Sequence, residues 1–162
     1  MLFTVIGAVA EQPSGDVWAP FWLERDWWDR QNRDPAREKR LARHSRFLQR
    51  GLPLEYRDSH NPLNPTETVL FEGGAVYRHF CRDCHGQSGM GDGQSGLALS
   101  PSPALLAFLV ETPSAVDGYL LWAISEGGAS FGTDMPSFKD QLSRDDIWKV
   151  IVYMRAGFPP VK

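Results

Sequence analysis

A mostly α-helical fold is what this sequence predicts, and three observations predict it. Apolar residues recur at helical spacing in separate stretches, glycine and proline cluster between those stretches, and no alternating run is long enough to defend a strand. The 162 residues suffice for one ordinary domain with an appendage, or for two very small ones. Hydrophobic residues at 42% and charged residues at 23% exclude wholesale disorder, collagen and coiled coil. No stretch approaches the roughly 18 uninterrupted apolar residues of a membrane-spanning helix. The formal charge of −3 leaves the chain without a nucleic-acid footprint. Two cysteines exclude a disulfide-dense scaffold.

Residues 1–10 are largely apolar and uncharged, and Ala8-Val9-Ala10 has the small-x-small form of a secretory cleavage site. A basic n-region is missing and the run is short. The segment reads either as a plain chain start or as the remnant of a signal or anchor.

Residues 11–65 form a Trp-rich and basic extension. Trp18, Phe21, Trp22, Trp27 and Trp28 open it, and bulky aromatics at that density need burial somewhere. Arg37, Lys39, Arg40, Arg43, Arg46 and Arg50 follow, against the single acid Glu38. Four readings stay open for this part: a solvated, salt-bridged helix, a wrap around the second part, a dock onto a larger oxidoreductase, or contact with an anionic membrane. The loop Ser59 to Pro65 contains two prolines and ends the extension.

Residues 66–162 hold seven bases and eleven acids, so the acidic balance belongs here. A first helix is predicted over about 66–81, with Val69, Gly73, Val76, Tyr77 and Phe80 on one face. A glycine-rich loop follows, with Gly86, Gly89, Gly91, Gly93 and Gly96. A second helix is predicted from Thr112 as N-cap with Pro113 in first place, ending at Gly127-Gly128. In the last helix Ser143 and Asp146 form a capping-box pattern, Ile147, Val150, Ile151 and Met154 make a stripe, and Gly157 with Pro159 stops it.

The chemistry sits in Cys81-Arg82-Asp83-Cys84-His85, which is C-x-x-C-H, the attachment signature of c-type haem. Two thiols three residues apart lie on one side of a helical turn and reach the two vinyl groups of a porphyrin. The adjacent His85 then presents its imidazole to the iron. Two other readings compete. A redox-active C-x-x-C wants a preceding strand in a βαβ setting, whereas this one follows a helical pattern. A zinc site needs two further ligands at sensible spacing; His79 shares the same short segment, and His44 and His60 lie in the extension.

Residues 62–158, about three-fifths of the chain, resemble a class I bacterial cytochrome c. The motifs run in order: Asn61-Pro62-Leu63 with Pro65 and Thr66, then Gly73 and Tyr77 ahead of Cys81, and Cys84-His85-Gly86 continuing into Gly89-Met90-Gly91-Asp92-Gly93. Pro103-Ala104-Leu105, Ile124 to Gly128, Met135-Pro136-Ser137-Phe138, Asp146-Ile147-Trp148 and Tyr153-Met154-Arg155 complete the series. The resemblance implies a fold of three to five helices around one covalent haem c, with an N-terminal extension.

It also implies a second axial ligand, expected to be Met135. This methionine sits in a loop and precedes Pro136, which restricts its backbone, and a thioether is a soft ligand suited to iron. Met90 lies only five residues from His85, and Met154 lies on the apolar stripe of the last helix. By the same resemblance the carbonyl of Pro103 is expected to accept the ring N–H of His85. Gly73 and Tyr77 should pack on the last helix, and Trp122 should either donate to a haem propionate or fill core.

The implied activity is outer-sphere electron transfer, with no vacant iron site and so no catalysis. Partners would be redox proteins, met at a surface near Gly86, Gly89, Gly91 and the Met135 loop, or a larger oxidoreductase or membrane complex docked through residues 11–65. The expected location is the periplasm or a periplasm-facing membrane surface. The alternative is a haem protein whose labile distal ligand opens a gas or peroxide site.

Overall fold

Helix α3 (Glu67–Phe80) and helix α7 (Arg144–Arg155) cross at a glycine, and that crossing organises the chain. The computed structural model describes residues 35–160. A Cβ on Gly73 would stand 2.2 Å from the carbonyl oxygen of Lys149 and 3.0 Å from Tyr153 Cβ, so only glycine lets the two backbones approach this closely. Beside the crossing, Lys149 Nζ meets Glu72 at 2.9 Å and Asp145 at 2.5 Å, and the two carboxylates raise its pKa. Tyr77, Ile147, Val150 and Ile151 are fully buried there.

Both helix starts follow the sequence. Thr66 caps α3, its side chain accepting from Val69 N at 3.3 Å. Ser143 and Asp146 form a reciprocal capping box on α7, at 3.1 and 3.2 Å. After α7 the chain turns at Gly157 and Phe158. Phe158 holds the unusual φ of 56° for a non-glycine residue, and its ring packs on Tyr77 and Tyr153 with centroids 5.1 and 5.9 Å apart.

The remaining helices are α1 (Pro35–Arg50), α2 (Leu54–Arg57), α4 (Arg82–His85), α5 (Leu106–Leu109) and α6 (Asp117–Glu126), with 3₁₀ turns at Gly96–Ala98 and Ala129–Phe131. No strand occurs among the described residues. The helix expected from Thr112 begins instead at Asp117, with Val116 as N-cap. The Thr112 hydroxyl donates back to Leu109 O at 2.8 Å and so closes α5. Asp117 fixes the true start. Its carboxylate accepts from Asn61 N at 2.7 Å and from the Arg155 guanidinium, while Asn61 Nδ2 donates to Trp148 O at 3.0 Å.

Residues 51–65 thereby run along α6 and α7, and Leu52 and Tyr56 join the same buried cluster as Tyr77, Leu121 and Val150. Tyr56 donates to Glu126 Oε1 at 2.6 Å, and Lys139 donates to both oxygens of that carboxylate, at 3.2 and 3.0 Å. Of the open readings for the extension, the aromatic cluster Trp18 to Trp28 and residues 1–10 lie outside the described residues. No helix among the described residues is long and apolar enough to cross a membrane.

Candidate haem site

The turn that carries the two thiols is a direct continuation of α3. Cys81 N donates to Tyr77 O at 2.9 Å, and Cys81 O then accepts from Cys84 N at 3.2 Å and His85 N at 2.9 Å. The fully buried Tyr77 donates its hydroxyl to Gly86 O at 2.8 Å, which anchors the chain just past His85. The glycine-rich loop folds back on this turn, with Gly91 N on His85 O and Ser95 N on Asp83 O, both at 2.8 Å.

The loop glycines serve this packing. A Cβ on Gly96 would lie 2.3 Å from Cys84 O, and one on Gly93 would lie 2.4 Å from Asp83 O. Gly86, Gly89 and Gly91 are buried. The expected contact surface lies near these three glycines and the Met135 loop; the glycines themselves are covered by the chain's own atoms, Phe158 lying against Gly89 and Asp92 against Gly86.

His85 Nδ1 lies 3.2 Å from the carbonyl of Ala104. The expectation named Pro103; the carbonyl that faces the ring is one residue later, while Pro103 contributes its ring to the cavity wall and to the Gly96 contact. With Nδ1–H donating to Ala104, Nε2 keeps its lone pair. Burial lowers the His85 pKa, outweighing the carbonyl's opposite pull, so the imidazole stays neutral.

Cys81, Cys84 and His85 line a cavity of about 220 Å³. Its walls include Leu99, Leu109, Leu120, Ile124, Phe138 and Val150. Met135 reaches it from a separate loop. That loop is pinned to the end of α6: Gly128 N donates to Met135 O at 2.7 Å, and Ser137 Oγ donates to Ser125 O at 2.7 Å. Gly127 makes this possible with φ +65° and ψ −166°, and a Cβ there would lie 2.4 Å from the Pro136 carbonyl carbon. Met154 also borders the cavity, from within the packed face of α7, whereas Met90 is exposed and does not. Trp122 does not line the cavity. It is buried in T-shaped contact with Tyr119 and Phe131, a setting that fits the core role of the two expected for it.

The competing chemistries find little support. Burial, with Cys84 adding to it, pushes the Cys81 thiol up to about 12, and burial and Asp83 raise that of Cys84. Dithiol exchange needs thiolate at neutral pH, and these thiols are protonated there. Among the described residues no group of three or more His, Cys, Asp or Glu side chains could hold a metal ion by itself.

The third wall was missed in the sequence. Lys39, Arg40 and Arg43 of α1 line the same cavity. Arg43 donates to Ala123 O at 3.3 Å and to Gly127 O, and its guanidinium lies over the Trp122 and Phe131 rings at 5.7 and 5.2 Å. Arg40 Nη2 donates to the buried Ser102 Oγ at 2.7 Å. The signal was present: Lys39, Arg40 and Arg43 are spaced for one helical face.

Two thiols, a neutral imidazole and a thioether around one apolar cavity in an all-helical fold define a c-type cytochrome domain. Residues 70–154 match the family described as "Cytochrome C oxidase, cbb3-type, subunit III", and the chain belongs to that family. Its cofactor class is accordingly haem c, and its role lies in electron transport. Among solved structures the chain is similar to a reducing HAO-like protein complex of Kuenenia stuttgartiensis, at 28% identity and a TM-score of 0.50 over 59% of this chain and 46% of that one. It is also similar to cytochrome CL from the marine methylotrophic bacterium Methylophaga aminisulfidivorans, at 20% identity and a TM-score of 0.42 over 69% of this chain and 63% of that one. The chain thus spans less than two thirds of the length of either. A comparison with curated proteins gave no match.

Proposed function

We propose that this chain carries electrons through one haem c, bound covalently at Cys81 and Cys84, with His85 and Met135 as its axial pair, at the periplasmic side of the cell. The cavity carries this reading, because it brings all four side chains together from two separate segments. The bound haem supplies the one-electron couple. Residues of this chain do the rest. Ala104 fixes the His85 tautomer, and burial keeps the ring unprotonated. The pinned loop holds Met135 at the cavity, while Met154 is committed to helix packing. With both axial groups supplied by the chain, no coordination position is left for substrate, which favours a carrier over a catalyst.

The likeness to a chain of a multi-protein complex supports a second feature of the reading: the cytochrome works as a subunit of a larger oxidoreductase and exchanges electrons with redox proteins. The periplasmic placement rests on the C-x-x-C-H turn, since the family receives its haem outside the cytoplasmic membrane.

The test is the visible spectrum, oxidised and reduced, of chain made with haem-maturation machinery. A low-spin c-type spectrum with the weak far-red band of Met-to-iron ligation is expected. Cys81→Ala with Cys84→Ala should lose covalent haem, and Met135→Ala should lose the far-red band while keeping the covalent haem. A normal far-red band in the Met135 variant would overturn the ligand assignment, and a high-spin spectrum of the unaltered chain would overturn the carrier reading.

A further inference from the structure

Helix α1 lies outside the matched residues 70–154, yet it supplies part of the cavity wall. We infer that its inward face is a carboxylate-binding wall, in which Arg43 and Arg40, backed by Lys39, hold the anionic side chains of the prosthetic group. The inference rests on the haem reading above, and the carboxylates in question are the haem's two propionates.

The placement of cations on the cavity wall argues for this. Among the described residues its charged and titratable side chains are Lys39, Arg40, Arg43, His85, Tyr119 and Asp134, together with the two thiols. Among these described lining residues Lys39, Arg40 and Arg43 stand together with the carboxylate of Asp134. Two propionates are anions of the kind that such a wall suits.

Arg43 makes the argument specific. Its Nε is buried and has no hydrogen-bond partner, and its two bonds go to backbone carbonyls rather than to any carboxylate. A guanidinium taken out of water without a counter-charge is costly to hold. Stacking over Trp122 and Phe131 offsets part of that cost. An anion at the cavity would offset the rest, and Arg fits a carboxylate with its planar fork. The cavity is otherwise mostly apolar, so a ligand with a hydrophobic body and an acidic edge matches both kinds of wall.

Capping of the α6 carbonyls is the competing role for Arg43, and the test separates the two. Full-length chain is produced with haem-maturation machinery as wild type, Arg43→Gln, Arg43→Lys and Arg40→Gln. Haem staining of denatured protein reports covalent attachment, and midpoint potentials are titrated against pH to find the inflection where the propionates ionise. All variants should keep covalent haem. Loss of a neighbouring cation raises a carboxyl pKa by about 1–3 units, so the inflection should move up by that amount in Arg43→Gln and return most of the way in Arg43→Lys. A pure helix cap would lower thermal stability in Arg43→Gln and leave the inflection in place. Should Arg43→Gln fail to fold, Arg40→Gln carries the same readout. Covalent haem with an unmoved inflection in every folded variant overturns the inference alone. No covalent haem in the unaltered chain overturns the proposed function, and this inference with it.

Discussion

His44 of α1 stands edge-on to Tyr119 of α6, with ring centroids 6.0 Å apart and planes at 90°. His44 is buried, Phe47 packs beside it, and its Nδ1 has no hydrogen-bond partner. Burial lowers its pKa from the ordinary 6.5. The sign follows from linkage: below about 6.5 the unfolded chain takes up a proton that the folded one resists, so stability from this group is complete above that pH and declines as pH falls through it. Hydrogen exchange of the α1 amides should therefore accelerate between about pH 7.5 and pH 5 relative to α7. A His44→Phe variant should lose most of that difference, and equal acceleration in the variant would show that some other group is titrating.

Tyr77→Phe removes the hydroxyl that satisfies the buried Gly86 carbonyl. An orphaned acceptor of this kind costs about 1–3 kcal/mol. The denaturation midpoint should fall accordingly, with the covalent haem yield little changed, since the thiols are untouched. A midpoint within error of wild type would mean that water replaces the hydroxyl.

Gly73→Ala drives a methyl into the Lys149 carbonyl at the α3–α7 crossing. A 2.2 Å contact must open beyond 3.0 Å, so the helices must part by close to an ångström, and overpacking of this kind costs about 1–3 kcal/mol. Chemical denaturation followed by circular dichroism reads the loss. An exposed alanine of the same helix, Ala75→Ser, serves as the mild control.

Gly127→Ala strikes the Met135 loop rather than the core. The position has φ and ψ values that glycine alone adopts readily, and an added Cβ meets the Pro136 backbone. The expected result is a weakened or lost far-red band with covalent haem intact, on top of a stability loss on the order of 1–3 kcal/mol. An unchanged band would separate the proposed ligand from the geometry of Gly127.

The parts of the site that side-chain chemistry dictates were legible in the sequence. Cys81, Cys84 and His85 fall within one five-residue signature because, in the proposed reading, one prosthetic group spans them, and Met135 stands out through its loop and Pro136. Backbone roles were less legible. Every residue carries a carbonyl, so no side-chain pattern could say whether Pro103 or Ala104 meets His85. Thr112 carries the composition of an N-cap, but its hydroxyl turns back to Leu109. The inward role of α1 was hidden by its own charge: Arg40, Arg43, His44 and Phe47 follow the spacing of a buried stripe, yet three of the four are polar, so the helix reads as a solvated face.

The contact of Gly118 with Tyr56 sets how the molecule comes apart. A Cβ on Gly118 would stand 2.2 Å from Tyr56 O and 2.8 Å from Leu52 Cδ1, so α6 and the segment before Asn61 share one seam. Cutting the chain at residue 66 would open that seam, strip the cover from Tyr119 and leave an apolar scar. Residues 35–65 and the haem-binding stretch should accordingly melt in a single cooperative transition, with calorimetric and van't Hoff enthalpies in agreement.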